Sequence, residues 1–271
     1  MPPFYNVGPE HGLHILKDSW GQKKFHEIQS KALSDGLETA IAATFEAAHV
    51  RDQGFKLLRP MTLDIAESQE ERQLESAIMA RWSSPNMASI RGAWQRMVAF
   101  QVPLFGDRDR SSWGYIDLLG VNPQGLPVVV ELKKSPTALA EGTTANSETP
   151  LRMLLEAAAY AVALRRNWSE GFRAEWIERL RGPDIPNAII ETVPLELVEV
   201  PLVAAAPASF WLDWLPYTSK GQSMNGWTEF KGLLANLKLH HLPLSFVSIS
   251  GSASRPESLA VQPLSSLPWS P

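Results

Sequence analysis

Residues 115–134 read YIDLLGVNPQGLPVVVELKK. Two apolar runs, Tyr115–Val121 and Leu126–Lys134, flank Asn122-Pro123-Gln124-Gly125. In such a turn proline presets φ and glycine supplies a left-handed position, so the stretch predicts a β-hairpin. Each strand carries one carboxylate in an otherwise apolar setting, Asp117 in the first and Glu131 in the second. A carboxylate is costly to bury unless it is paired or binds a metal. Two of them on adjacent strands invite a shared partner.

The loop length decides whether they can share one. If residues 123–125 form the loop, Asn122 faces Leu126 and Asp117 lies across from Glu131. Opposed residues have Cβ atoms roughly 4.5–5.5 Å apart. Lys133, two residues beyond Glu131, falls on the same face. A two-residue loop would instead place Asp117 opposite Leu132 and split the carboxylates between faces. The chemistry therefore prefers the first register. Two carboxylates so placed suit a hard divalent cation such as Mg²⁺, or Mn²⁺, which takes oxygen ligands and keeps waters for a phosphate. The neighbouring lysine could orient or deprotonate an attacking water, or neutralise a phosphate.

Further elements follow on both sides of the hairpin. Met97–Phe105, rich in Val and Phe, predicts a preceding strand. Before it, residues from Asp64 to about Trp82 predict a helix, because Leu74, Ile78 and Trp82 recur at i, i+4, i+8 and Ser68 with Glu71 has capping-box spacing. After the hairpin, Thr149 and Pro150 form a helix start that Leu151–Arg166 continues. A strand within Leu195–Ala206, a helix over Trp227–Leu239 and a strand over Ser245–Ser250 complete the pattern. The expected class is α/β, a mixed β-sheet flanked by helices in αβββαβ order. Residues 1–60, with a helical stretch around Phe25–Ala48, read as a mainly helical N-terminal appendage. Residues 61–250 read as the core with a C-terminal helix–strand extension, and 251–271 as a Ser/Pro-rich tail that adds little to the core.

Composition narrows the function. The chain has 271 residues, 44% of them hydrophobic and 20% charged, enough to build a sizeable core. It has no cysteine, which excludes disulfides, thiolate nucleophiles and Cys-ligated metal sites. No run approaches the eighteen or so apolar residues of a membrane span. The start MPPFYNVGPEHGLHILK has no basic segment followed by an apolar one, so a cytoplasmic, membrane-free protein is expected. The net charge of −4 and pI of about 5.9 argue against a surface that is basic throughout. Arg108 and Arg110, just before the Asp117 strand, are a local exception past which a phosphate backbone could run. The six histidines lack zinc-site spacing, and neither a P-loop nor a dinucleotide fingerprint occurs.

Asp117, followed after thirteen residues by Glu131-Leu132-Lys133, resembles the D…(D/E)-x-K site of the PD-(D/E)XK nuclease superfamily, the restriction-endonuclease-like fold. The αβββαβ order over about residues 64–206 resembles that family's core as well. Many members carry Gln and, four residues later, Tyr on the second helix. Glu156 and Tyr160 have that spacing here, with Glu where Gln is usual. The resemblance implies a Mg²⁺-dependent phosphodiester hydrolase acting on nucleic acid, with DNA the expected polymer. It implies that Asp117, Glu131 and the Leu132 backbone carbonyl hold the metal and that Lys133 positions the water. In this family a first-helix Glu often completes the site. Glu71 lies within the Leu74/Ile78/Trp82 stripe and Glu75 at its edge, which favours Glu71 and keeps Glu75 as a supporting candidate.

On the second helix the polar exceptions Arg152, Glu156 and Tyr160 recur every four residues and form one stripe, either a solvent face or a wall of the site. Solvated charge is the plain alternative elsewhere too: a blunted strand edge for Asp117 and Glu131, an exposed helix face for Glu71 and Glu75. The rival function is a catalytically inactive nucleic-acid- or protein-binding module on the same fold. Glu156 and the acidic pI support it; the intact Asp117/Glu131/Lys133 set speaks against it.

Overall fold

The computed structural model describes residues 31, 33–48, 70–83, 89–90, 92–103, 115–133, 150–181, 187–213 and 227–264. In chain order the elements are α1 (Leu37–Ala47), α2 (Glu70–Trp82), β1 (Arg96–Pro103), β2 (Tyr115–Val121) and β3 (Pro127–Leu132). There follow α3 (Pro150–Asn167), a π-helical turn (Trp168–Phe172), α4 (Arg173–Leu180), α5 (Asn187–Glu191), β4 (Leu202–Pro207) and α6 (Ala208–Asp213). The last are α7 (Trp227–Leu239), β5 (Leu244–Ser252) and β6 (Arg255–Pro263). The strands form one mixed sheet in the order β1-β2-β3-β4-β5-β6. β3–β4 and β4–β5 are parallel, and the other neighbours are antiparallel.

Helices cover both faces of this sheet, which is why its central strands read as continuous apolar runs and not as alternating ones. All six residues of β3 are buried, as are the first five of β4. One core joins Leu119, Val129, Leu202 and Ala204 to α3, with Leu33, Leu37 and Ala40 beside α3 and Trp176, Leu233 and Leu237 from later helices. The other joins Leu118, Val128, Val130 and Val203 to Ala77, Ile78 and Trp82 of α2. There Trp82 meets Trp94 edge-on, with ring centroids 5.9 Å apart. The hairpin thus lies between α2 and α3, so a polar side chain at its end is enclosed from both sides.

The β2–β3 turn is satisfied locally. Asn122 Oδ1 accepts from the Gln124 and Leu126 amides at 3.0 and 2.9 Å, and Gly125 takes φ +74° in a three-residue loop. The expectation of a tail that adds little beyond Gly251 does not hold for residues 255–263. β6 pairs with β5 and places Leu259 and Val261 in the α2-side core. Its alternating pattern is short and sits in a polar sequence, so its apolar side is visible only against β5 and α2. Ser68, Thr149, Arg108, Arg110 and most of residues 1–60 lie outside the described residues, as does the Arg152 side chain.

Candidate metal centre

The β2–β3 ladder runs from Val121↔Pro127 to Leu118↔Val130. This is the register in which Asn122 faces Leu126, and its next pair would be Asp117 with Glu131. At that point a side chain takes over from the backbone: the Leu132 N–H donates to Asp117 Oδ2 at 2.9 Å. The Leu132 C=O lies on the same edge of β3 as its N–H, toward Asp117, because both groups of a strand residue face the same neighbour. The Lys133 amide, on the alternate edge, donates to Ala205 O of β4 at 3.0 Å. β3 is thus held by β4 on one side and capped by a carboxylate on the other.

α2 brings two more carboxylates to this end of the hairpin. Glu71 and Glu75 are one helical turn apart and therefore share a face. Oxygen atoms of Glu71, Glu75 and Asp117 all lie within 4.8 Å of one another. Glu75 is 2% exposed and Asp117 9%, which overturns the solvated alternative for both. Gln101 of β1 donates its amide N–H to Glu75 Oε2 at 2.7 Å. Burial, and next the charge of Asp117, pushes the Glu75 carboxyl up to about 8, against the opposing Gln101 hydrogen bond. Burial likewise pushes Asp117 up to about 7, although Lys133 and the Leu132 N–H oppose it.

Beside this trio, Lys133 is held between two further carboxylates. Its Nζ lies 2.6 Å from Glu131 Oε1 and 2.9 Å from Glu156 Oε2, with all three residues buried. Glu156 comes from α3, and Tyr160 stands one turn further along. Burial, then the Asp117 charge, raises the Glu131 carboxyl well above its ordinary value. Burial and the nearby Glu131 and Glu156 raise the Tyr160 hydroxyl, which therefore stays protonated. Among the described residues no donor reaches Glu131 Oε2.

The arrangement brings together Glu71, Glu75, Asp117, Glu131, Lys133, Glu156 and Tyr160 from α2, β2, β3 and α3. It divides them differently from the expected ligand set. Glu71 and Glu75 both join Asp117, whereas Glu131 stands outside that trio and pairs with Lys133. The Arg152/Glu156/Tyr160 stripe is a wall of the site as far as Glu156 and Tyr160 show it. Gln101 was not legible as a site residue, although a signal existed: it is a polar residue within an apolar strand run, as Asp117 is.

Among the described residues four buried carboxylates lie near one buried ammonium, and burial disfavours their charged forms, so that charge must be met by protons or by cations. An all-oxygen donor set without His or Cys fits a hard divalent ion and not a soft one. Among the described residues no helix is long and apolar enough to cross a membrane. No family model, curated protein or solved structure matches the chain.

Proposed function

We propose that the chain is a Mg²⁺- or Mn²⁺-dependent nuclease that hydrolyses phosphodiester bonds in nucleic acid, with DNA as the polymer, on a restriction-endonuclease-like core. One observation carries the reading: three carboxylates have oxygens within 4.8 Å of one another, and the charge of Lys133, a buried lysine just past β3, acts on one of them, Asp117. A carboxylate group of this kind with a cation beside it suits an anionic substrate whose charge rises during the reaction. The αβββαβ element order and the Asp117…Glu131-x-Lys133 spacing support the same class.

In this reading Glu71, Glu75 and Asp117 would hold the metal, with the Leu132 carbonyl and Glu131 next to Asp117. A bound divalent ion supplies positive charge to the phosphoryl oxygens and lowers the pKa of a coordinated water. Lys133 donates hydrogen bonds to the attacking water and orients it in line with the scissile bond. Glu131 and Glu156 hold Lys133 in its protonated form and fix its direction. Tyr160, kept neutral, contributes an O–H that can donate without adding charge.

The test is incubation of the protein with plasmid, linear duplex and single-stranded DNA plus Mn²⁺, with Lys133→Ala as control. Cleavage by the parent and its loss in the variant are expected. A parent that binds nucleic acid without cutting it, and whose variants bind equally, would instead establish the catalytically inactive binding module.

A further inference from the structure

Gln101 adopts φ +48° in the middle of β1, a conformation that side-chain-bearing residues rarely take. Its place in the register is between Phe100↔Leu118 and Val102↔Ile116, across from Asp117. Strict alternation would put Phe100 and Val102 on one face, yet Phe100 packs against the α2-side core and Val102 belongs to the other. The positive φ at Gln101 therefore breaks the alternation of β1. The side chain at the break reaches Glu75 on α2, 26 residues away in sequence. Strained, non-glycine backbone of this sort persists only where its surroundings hold it, and it concentrates at functional sites.

We propose that Gln101 is a positioning residue for the metal centre, fixing the plane of the Glu75 carboxylate so that it faces a cation shared with Glu71 and Asp117. This rests on the metal-centre reading above. Beside Asp117, Glu131 is 2% exposed and gives Oε1 to Lys133, while its Oε2 has no hydrogen-bond donor among the described residues. The residue type fits the task. An amide N–H satisfies one buried Glu75 oxygen without neutralising it, whereas a lysine or arginine there would cancel the charge that attracts the metal. A supporting partner of a ligand carboxylate fixes its orientation, and its removal typically lowers metal affinity about 10–100-fold.

The experiment is a calorimetric titration of the full chain with Mn²⁺, alongside thermal melting without metal. Gln101→Met keeps the length and shape of the side chain and removes the donor; Mn²⁺ affinity should fall about 10–100-fold. Gln101→Gly removes the donor and also relieves the left-handed backbone, which glycine adopts freely. It should melt no lower than Gln101→Met while losing the same affinity. If Gln101 served only β1 packing, both variants would melt lower and bind Mn²⁺ as tightly as the parent, which would overturn the proposal. Should Gln101→Met fail to fold, the affinity of Gln101→Gly decides. A parent that binds Mn²⁺ but cuts no nucleic acid defeats the nuclease reading while the affinity comparison still judges Gln101. A parent that binds no divalent metal overturns both.

Discussion

At its turn the β2–β3 hairpin is closed by its own residues: Asn122 accepts two backbone amides and Gly125 supplies the left-handed φ. At its open end, Asp117 and Glu131 are surrounded by Glu71 and Glu75 from α2, Gln101 from β1 and Glu156 from α3. The first end satisfies its polar groups within five residues of chain. The second gathers carboxylates whose mutual repulsion and desolvation work against the folded state. A hairpin built for stability alone would have no reason for this asymmetry. The turn holds the register, and the register sets Asp117 and Glu131 among the neighbouring carboxylates in a defined geometry.

The largest effect is expected at the open end. Lys133→Ala should lower DNA cleavage about 10²–10⁴-fold, the usual loss for a group that positions or exchanges a proton. Asp117→Asn should abolish Mn²⁺ binding and cleavage together, because it removes an anionic ligand from a site with few others. Gel assays and calorimetry on the two variants separate the roles. Equal cleavage by Lys133→Ala and the parent would reduce the lysine to an ion-pair partner of Glu131.

Next comes the pH dependence of stability. Glu75 and Asp117 have folded values of about 8 and about 7, above their ordinary 4.5 and 3.8. The folded chain therefore binds more protons than the unfolded chain between these values. This contribution to stability is full below the ordinary values and is lost as pH rises through about 7–8. Tm measured with a chelator should fall between about pH 4.5 and about pH 8 and level off above, and Mg²⁺ should reduce the fall by replacing protons with a cation. A Tm that rises across this interval would mean that the carboxylates are already ionised and compensated.

At the turn the effects should be on stability alone. Gly125→Ala strains a φ of +74° and brings Cβ to 2.7 Å from Ile189 O, so it should destabilise by about 1–3 kcal/mol. Asn122→Ala, which removes the acceptor for two turn amides, should cost about 1 kcal/mol. Denaturant unfolding measures both. Mn²⁺ affinity should be unchanged in each; a loss of affinity would show that the two ends are not independent.

Much of this was legible because it is local. Alternation carries Asp117 across from Glu131 once the loop length is set, and apolar spacing in α2 predicts the buried Ile78 and Trp82. The same spacing ranked Glu71 above Glu75, yet Glu75 is the more deeply buried, because helix phase alone does not say where the neighbouring strand lies. Glu131 is expected among the metal ligands; in the structure it stands outside the Glu71/Glu75/Asp117 trio and pairs with Lys133. Which of two nearby partners a carboxylate takes depends on where α2 and α3 sit, and no spacing within β3 contains that. β6 is not legible in the sequence, because its apolar residues are few and acquire a partner only across the sheet.

The sequence by itself determined the hairpin and its turn and narrowed the register to two, of which the chemistry of paired carboxylates preferred the one the ladder adopts. These follow from interactions among residues a few positions apart and from the two-residue period of a strand. Only the tertiary structure decided that Glu71 and Glu75 both close on Asp117, that Gln101 turns onto Glu75, and that Glu156 shares Lys133. It also decided the raised carboxyls, because desolvation depends on what covers a group, and the cover here comes from helices on both faces of the sheet.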